Sequence, residues 1–156
     1  DNLIEKILAA STFNQGFQTS EYLAAAYLDM AWHEQPIDAL SDVNALENTE
    51  MARIGLPSTI VPRYKSTYFQ HIFSGDDYSA GYYAYIWAEV LDADGFEAFK
   101  EHGLFDPATA QSFRENILER GGSKDPMALY RAFRGRDPAV QALLASRGLD
   151  DAAAVR

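Results

Sequence analysis

Residues 20–34 read SEYLAAAYLDMAWHE, and the spacing of the apolar residues in this stretch indicates the fold class. Apolar side chains recur three and four positions apart, which is the period of an amphipathic α-helix. The spacing predicts a helix from Ser20 to Glu34 that ends before Pro36, because proline breaks the hydrogen-bonding pattern of a helix interior. The predicted buried side of this helix consists of Tyr22, Leu23, Ala26, Tyr27, Met30 and Ala31.

The same helical period extends through most of the chain. It predicts an apolar stripe near the start and further helices over about residues 42–53 and 79–94, the second of them aromatic-rich and the most buried. A loop over residues 55–66 and a short helix near 67–73 lie between these two helices. In three Asp-Pro steps, the aspartate fits a helix N-cap and the proline fits the first helical position. These steps are Asp106-Pro107, Asp125-Pro126 and Asp137-Pro138. No convincing strand pattern is present, so the sequence predicts an all-α fold.

The composition excludes several classes of function. The chain has 156 residues, with 13 Lys and Arg against 23 Asp and Glu, which gives a net charge of −10. An acidic chain without a cluster of basic residues repels phosphates, so we predict no nucleic-acid partner. No apolar run approaches the roughly 18 residues of a membrane span, so we predict no membrane partner. The chain has no cysteine, which excludes disulfides and thiolate metal sites.

The histidines do not have the spacing of a metal site. His33, His71 and His102 lie too far apart in the sequence to form a local ligand pair. His33-Glu34 begins like the zinc-binding helix His-Glu-x-x-His, but position 37 is isoleucine and Pro36 interrupts the helix. We interpret His33 as a polar residue near a helix end and His102 as a solvated helix cap. No metal ligand is therefore predicted in this chain.

An aromatic-rich segment carries the strongest functional signal. Residues 71–87 read HIFSGDDYSAGYYAYIW, and on a helix Tyr78, Tyr82, Tyr85 and Glu89 would share one face. A second face, made of Tyr83, Ile86, Trp87 and Val90, is typical of a core. Phenols keep their protons at neutral pH and donate well to a developing oxyanion. His71 precedes a glycine-containing turn that can bring it to the same place. Two interpretations remain open, a core helix with its hydroxyls at the rim or a row of tyrosines that faces a substrate.

Several stretches together resemble the C-terminal region of the thimet oligopeptidase family of zinc peptidases, in particular its bacterial peptidyl-dipeptidase branch. The resemblance covers roughly residues 11–149, with the matching stretches in the family's order. These stretches are Phe13–Phe17, Leu28–His33, Pro62–Tyr64, Tyr68–Phe73, Gly81–Trp87, Phe113–Gly121 and Leu129–Gly135.

The resemblance implies an α-helical fold with a deep channel between two lobes. In this family, zinc is bound by the two histidines of a His-Glu-x-x-His helix and by a glutamate on a following helix, and the motif's own glutamate activates the zinc-bound water. All of these lie upstream of the matched region. For this chain the resemblance implies that His71 and Tyr85 are catalytic residues that donate to the oxyanion. It also implies that Tyr78 and Tyr82 line the substrate-binding cleft and that the loop containing Gly75 hinges onto the substrate.

We therefore expect residues 1–149 to be the C-terminal helical part of a metallopeptidase catalytic domain, followed by a frayed tail over residues 150–156. Because the first residue is Asp1, we expect a piece of a longer peptidyl-dipeptidase or oligopeptidase that is inactive alone. The resemblance implies zinc in the intact enzyme, short peptides as substrates, the zinc-bearing part of the same protein as partner, and a cytoplasmic location. The alternative is a free-standing, non-catalytic helical module that binds peptides or a partner protein.

Overall fold

The computed structural model describes residues 2–36, 38 and 42–150 of the chain. These residues form helices joined by turns and contain no β-strand, which confirms the predicted all-α fold. The chain divides into two compact units, Asp1–Tyr85 and Ile86–Arg156. Residues 151–156 of the predicted frayed tail lie outside the described residues.

Residues 2–36 and 42–85 of the first unit form three α-helices followed by three short 3-10 turns. The helices are α1 (Asn2–Ser11), α2 (Gln15–Glu34) and α3 (Val43–Arg53). The 3-10 turns are Ser66–Tyr68, Gln70–Phe73 and Asp76–Tyr78, where the sequence predicted a short helix and a polar turn.

Two helix starts in this unit differ in how well the sequence predicted them. Helix α3 begins as predicted, because the Asp42 side chain accepts hydrogen bonds from the backbone N–H groups of Asn44 and Ala45. Helix α2 begins at Gln15 rather than at Ser20.

The core of the first unit forms where small residues of α2 meet aromatic residues of the later turns. Ala25 and Ala26 pack with Phe69, Ile72 and Tyr82, and all five are buried. The alanines have little side-chain volume, so aromatic rings can approach the helix closely. The predicted buried side of α2 is therefore only partly correct. Ala26 and Ala31 are buried as predicted, Tyr27 is exposed, and the missed buried residues are Ala24, Ala25, Leu28 and Asp29.

The apolar stripe of α1 is formed as predicted but is not covered within the first unit. None of the residues of α1 is buried, and its four large aliphatic side chains are exposed. These are Leu3, Ile4, Ile7 and Leu8.

The aromatic-rich helix starts later than predicted. Helix α4 spans Ala84–His102, so Tyr78 and Tyr82 precede it and do not share a helix face with Tyr85. The physical reason lies at Ala80, whose left-handed φ of 55° interrupts the helical path. The prediction that this helix is the most buried was also wrong. Tyr83 and Trp87 of the predicted core face are exposed, whereas Val90 of that face is buried.

Residues 86–150 of the second unit contain most of α4 and three further α-helices. These are α5 (Pro107–Phe113), α6 (Pro126–Arg134) and α7 (Gln141–Ser146). A π-helical turn over Arg114–Leu118 directly follows α5. Its wider hydrogen bond joins the backbone N–H of Glu119 to the carbonyl of Arg114, at 2.9 Å.

Two of the three Asp-Pro steps cap helices as predicted. The Asp106 carboxylate accepts a hydrogen bond from the Thr109 N–H at 2.7 Å, and Asp125 accepts one from the Ala128 N–H at 2.7 Å. The third prediction was wrong, because α7 begins only at Gln141. The Asp137 carboxylate instead accepts a hydrogen bond from Arg131 at 2.5 Å.

A buried carboxylate organises the core of the second unit. Asp94 is 2% exposed and accepts hydrogen bonds from the Tyr130 hydroxyl at 2.5 Å and from Arg136 at 2.6 Å and 3.0 Å. Arg134 donates to the Asp94 backbone carbonyl and makes a two-point ion pair with Glu101. A buried charge is expensive unless it is paired and hydrogen-bonded, and these donors supply that compensation.

Candidate active site

Residues 71–85 bring one histidine and three tyrosines together in the first unit. The ring centre of His71 lies 5.0 Å from that of Tyr78, 5.7 Å from Tyr82 and 6.0 Å from Tyr85. We call these four residues the His71 cluster. They lie along a segment of two 3-10 turns, Gln70–Phe73 and Asp76–Tyr78, that leads into the start of α4. The helix face predicted from the sequence did not contain His71. Glu89, which was predicted to lie on that face, instead forms an ion pair with Arg147.

Two polar groups of the cluster lie side by side. The Tyr85 hydroxyl is 3.3 Å from Nε2 of His71. Tyr85 lies in the first turn of α4 and is 53% exposed, and His71 is half-buried in its 3-10 turn. A separation of 3.3 Å is long for a hydrogen bond that involves a hydroxyl, so this contact is weak. Both groups can therefore turn to another partner at small energetic cost.

Tyr82 has a different environment from the other two tyrosines of the cluster. It is only 7% exposed, and its ring stacks on Tyr22 and meets Phe69 edge to face. Burial raises the pKa of the Tyr82 phenol above its ordinary value, so the group stays protonated. Its ring also contacts His71 and Tyr85 from the protein side. The structure therefore places Tyr82 beneath the pair, whereas Tyr78 is exposed beside it.

Gly75 lies in the loop that separates His71 from Tyr78. Its carbonyl accepts the Tyr78 N–H at 3.0 Å and starts the 3-10 turn Asp76–Tyr78. A Cβ atom placed on Gly75 would have no neighbouring atom within 4 Å, so the loop is open to solvent at this point.

The sequence interpretation missed two residues that hold the backbone of the cluster. Asp29 of α2 is fully buried, and its carboxylate accepts the N–H groups of Ala80 at 3.0 Å and Tyr82 at 2.8 Å. The Tyr22 hydroxyl donates to the Tyr82 carbonyl at 2.5 Å. The sequence signal for Asp29 was its place as an acidic residue within the apolar pattern of α2. A carboxylate buried at such a place requires several hydrogen-bond donors.

Comparison with known proteins identifies the family. The model of the family described as peptidase family M3 matches residues 1–149. The chain belongs to peptidase family M3. It is 44% identical over 153 residues to the dipeptidyl carboxypeptidase of Escherichia coli K12, covering 96% of this chain and 22% of that protein.

Two further M3 relatives extend the comparison. Oligopeptidase A of Escherichia coli K12 is 38% identical over 149 residues, covering 94% of this chain and 22% of that protein. Saccharolysin of Saccharomyces cerevisiae is 32% identical over 160 residues, covering 97% of this chain and 21% of that protein. The chain thus spans about a fifth of the length of the curated relatives it matches. These matches confirm the resemblance derived from the sequence.

The histidines of this M3 chain have separate local partners. His33 Nδ1 lies 2.8 Å from the Asp29 carboxylate, and His102 Nδ1 lies 2.9 Å from the Ala98 carbonyl. Within residues 2–36, 38 and 42–150, no three His, Cys, Asp or Glu side chains form a group that could hold a metal ion. The described residues of the M3 chain therefore do not fit a zinc site. No described helix is both long and apolar enough to cross a membrane.

Proposed function

We propose that this chain is the part of an M3 peptidase that stabilises the oxyanion during hydrolysis of short peptides. The observation that carries the proposal is the pair of solvent-accessible donors, the Tyr85 hydroxyl and the His71 imidazole, 3.3 Å apart. The relatives named dipeptidyl carboxypeptidase and oligopeptidase A support peptides as the substrate class, with release of C-terminal dipeptides as one mode.

Peptide hydrolysis places a negative charge on the carbonyl oxygen of the tetrahedral intermediate. Donors that lie about 2.7–3.1 Å from that oxygen stabilise the charge. Two donors 3.3 Å apart can both reach the same substrate oxygen. The Tyr85 O–H and the His71 Nε2–H then point to that oxygen and not to each other. Their mutual contact is weak, so the substrate replaces it at little cost.

The neighbouring residues have supporting roles in this proposal. Tyr78 is exposed and packs edge to face against His71, so it can contact the substrate beside the oxyanion. Gly75 lies in an open loop that can approach the peptide closely. Tyr82 supports both donors from beneath, because its ring is buried and contacts each of them.

The metal and the general base belong to other parts of the protein in this proposal. The described residues do not fit a zinc site, so we assign zinc, its ligands and the base to the rest of a parent enzyme. The chain alone is then inactive, and the zinc-bearing part is its partner. We also propose a cytoplasmic location, which the family resemblance implies. We propose no nucleic-acid or membrane partner, in line with the net charge of −10 and the absence of long apolar runs.

The test is Tyr85→Phe in the intact peptidase that contains this chain. We expect kcat to fall by about 10²–10³, as for loss of one oxyanion donor, with KM changed by less than about twofold. The matched control is Tyr83→Phe. Tyr83 is equally exposed at 53%, but its ring is not among those that contact His71.

An unchanged kcat for Tyr85→Phe would overturn the proposed role. The rival function, a module that binds peptides without cleaving them, requires that the intact protein bind a short peptide and release no product. Product release that depends on Tyr85 excludes this rival.

A further inference from the structure

Helix α2 holds the main chain of Tyr82 from both sides. The Asp29 carboxylate accepts the Tyr82 N–H at 2.8 Å, and the Tyr22 hydroxyl donates to the Tyr82 carbonyl at 2.5 Å. Tyr22 and Asp29 are two helical turns apart and therefore lie on the same face of α2. The backbone of Tyr82 consequently has its donor and its acceptor fixed by one rigid element.

Asp29 has a second contact with the same loop. Its other carboxylate oxygen accepts the Ala80 N–H at 3.0 Å and lies 2.8 Å from Nδ1 of His33. The backbone of Ala80 has a left-handed φ of 55°, which is unfavourable for a residue with a Cβ atom. Hydrogen bonds to a buried carboxylate are among the stronger ones, and they offset this strain.

Tyr82 contacts both members of the donor pair. The Tyr82 ring centre lies 5.5 Å from that of Tyr85 and 5.7 Å from that of His71. Helix α4 begins at Ala84, whose N–H binds the carbonyl of Gly81 at 3.0 Å. The first turn of α4, which carries Tyr85, therefore starts directly from the segment that Asp29 fixes.

We infer that Asp29 is a positioning residue that acts through the Ala80–Tyr82 backbone to align Tyr85 and His71 for oxyanion stabilisation. This inference rests on the proposed function, since it assigns a task to the same pair. As a positioning residue, Asp29 does not touch the substrate. Its carboxylate is fully buried, and the described contacts of its two oxygens are with Ala80, Tyr82 and His33.

The first test measures geometry and is independent of activity. Asp29→Asn preserves the side-chain shape but replaces one acceptor oxygen with an amide group that cannot accept. Each oxygen of Asp29 accepts one of the two N–H groups, so the variant loses the acceptor of either Ala80 or Tyr82. In this chain we expect amide hydrogen exchange at that residue to become about tenfold faster relative to the Leu28 amide of α2. The nuclear Overhauser contact between the His71 and Tyr85 rings should weaken in parallel.

The matched control is Asp94→Asn in the second unit. Asp94 is also a buried aspartate with several donors, and its side chain accepts from Tyr130 and Arg136. We expect this variant to leave the relative exchange at Ala80 and Tyr82 unchanged. Tyr22→Phe is a second variant that keeps the ring stack with Tyr82 and removes only the hydroxyl. It should weaken the same ring contact even if Asp29→Asn does not fold.

The second test measures kinetics in the intact peptidase. Asp29→Asn should lower kcat by about tenfold to a hundredfold, because small displacements of catalytic groups reduce rates by such factors, while KM changes little. The double variant Asp29→Asn with Tyr85→Phe should be scarcely slower than Tyr85→Phe alone. A residue that acts through Tyr85 loses its effect when the Tyr85 hydroxyl is absent.

The outcomes separate the two proposals. If Tyr85→Phe has a normal kcat, the proposed function is wrong. The hydrogen exchange rates and the contact between the His71 and Tyr85 rings then still show whether Asp29 positions this pair. If Tyr85→Phe is slow but Asp29→Asn and Tyr22→Phe leave the ring contact and kcat unchanged, the inference about Asp29 is wrong. The inference about Asp29 would also be wrong if the fold-loss in kcat of the double variant equalled the product of the fold-losses of the two single variants.

Discussion

The Tyr85 hydroxyl lies 3.3 Å from Nε2 of His71, although the two residues are 14 positions apart in the sequence. Two 3-10 turns lie between or at them, and the buried ring of Tyr82 lies against both. The exposed Tyr85 hydroxyl and the half-buried His71 imidazole thus lie against a buried aromatic residue, whose backbone is hydrogen-bonded to α2. This arrangement leads to predictions for stability as well as for catalysis.

Tyr82 should be a major source of stability for the first unit. Tyr82→Ala removes a buried ring that packs against Phe69 and Tyr22, and we expect the free energy of unfolding to fall by about 3–5 kcal/mol. Urea denaturation followed by circular dichroism measures this change. Tyr83→Ala, at an exposed neighbouring position, should change it by less than about 0.5 kcal/mol. Equal effects of the two substitutions would contradict the assignment of Tyr82 to the core.

Asp94 should make the second unit sensitive to acid. Burial alone would raise the pKa of Asp94, but hydrogen bonds from Arg136 and Tyr130 outweigh this effect and hold the pKa below its ordinary value. A lowered pKa in the folded state stabilises the protein above the unfolded value, and this contribution is lost as the pH falls through the folded value. Urea midpoints measured at neutral pH and across the acid range should show this loss.

Asp94→Asn is the control for this pH dependence. The variant should lose stability at neutral pH by about 3 kcal/mol, because it weakens a buried charge pair. It should also show a flatter decline in acid than the unmodified chain, since the titrating group is gone. An identical acid decline in both proteins would show that Asp94 is not responsible.

Asp125 should stabilise α6 as its N-cap. Asp125→Ala removes the acceptor for the Ala128 N–H, and we expect a loss of about 1 kcal/mol in the free energy of unfolding. Asp125→Asn keeps an acceptor oxygen and should change stability much less. Thermal unfolding of the two variants distinguishes them. A loss for Asn as large as that for Ala would argue that the carboxylate charge, rather than the cap, stabilises α6.

The chain alone should bind no stoichiometric zinc. The described residues offer no group of three metal-ligating side chains, and the chain has no cysteine. Equilibrium dialysis against zinc, followed by metal analysis, measures the bound ratio. His71→Ala serves as a comparison, because weak zinc binding by the half-buried His71 imidazole alone should fall with this substitution. One tightly bound zinc ion per chain would contradict our assignment of the metal to other parts of the enzyme.

The helices of this fold were predictable where local signals determine them. The apolar period of α1 and the caps Asp106 and Asp125 depend on residues close in the sequence. The start of α4 was not predictable in this way. The helical pattern continued back to Ser79, but the Ala80 and Tyr82 N–H groups donate to the Asp29 carboxylate of α2, far away in the sequence, and these hydrogen bonds hold the backbone in a non-helical path. Tertiary contacts here override local propensity.

The candidate site was predictable by residue type but not by geometry. His71, Tyr78, Tyr82 and Tyr85 do come together, although along a folded loop rather than on one helix face. Their unequal burial follows from the packing of Tyr82 against α2, which the spacing did not reveal. Whether they bind substrate stays a prediction, and the kinetic tests above address it.

The π-helical turn Arg114–Leu118 has a consequence for how sequence length can vary in this region. A π turn contains one residue more than the α turn it replaces, so removing one residue there restores ordinary helical hydrogen bonding. After such a deletion, the helical segments on either side of the turn keep their intrahelical hydrogen bonds. In an alignment of relatives, this turn is therefore the place in α5 and its continuation where a single deletion disturbs the fold least.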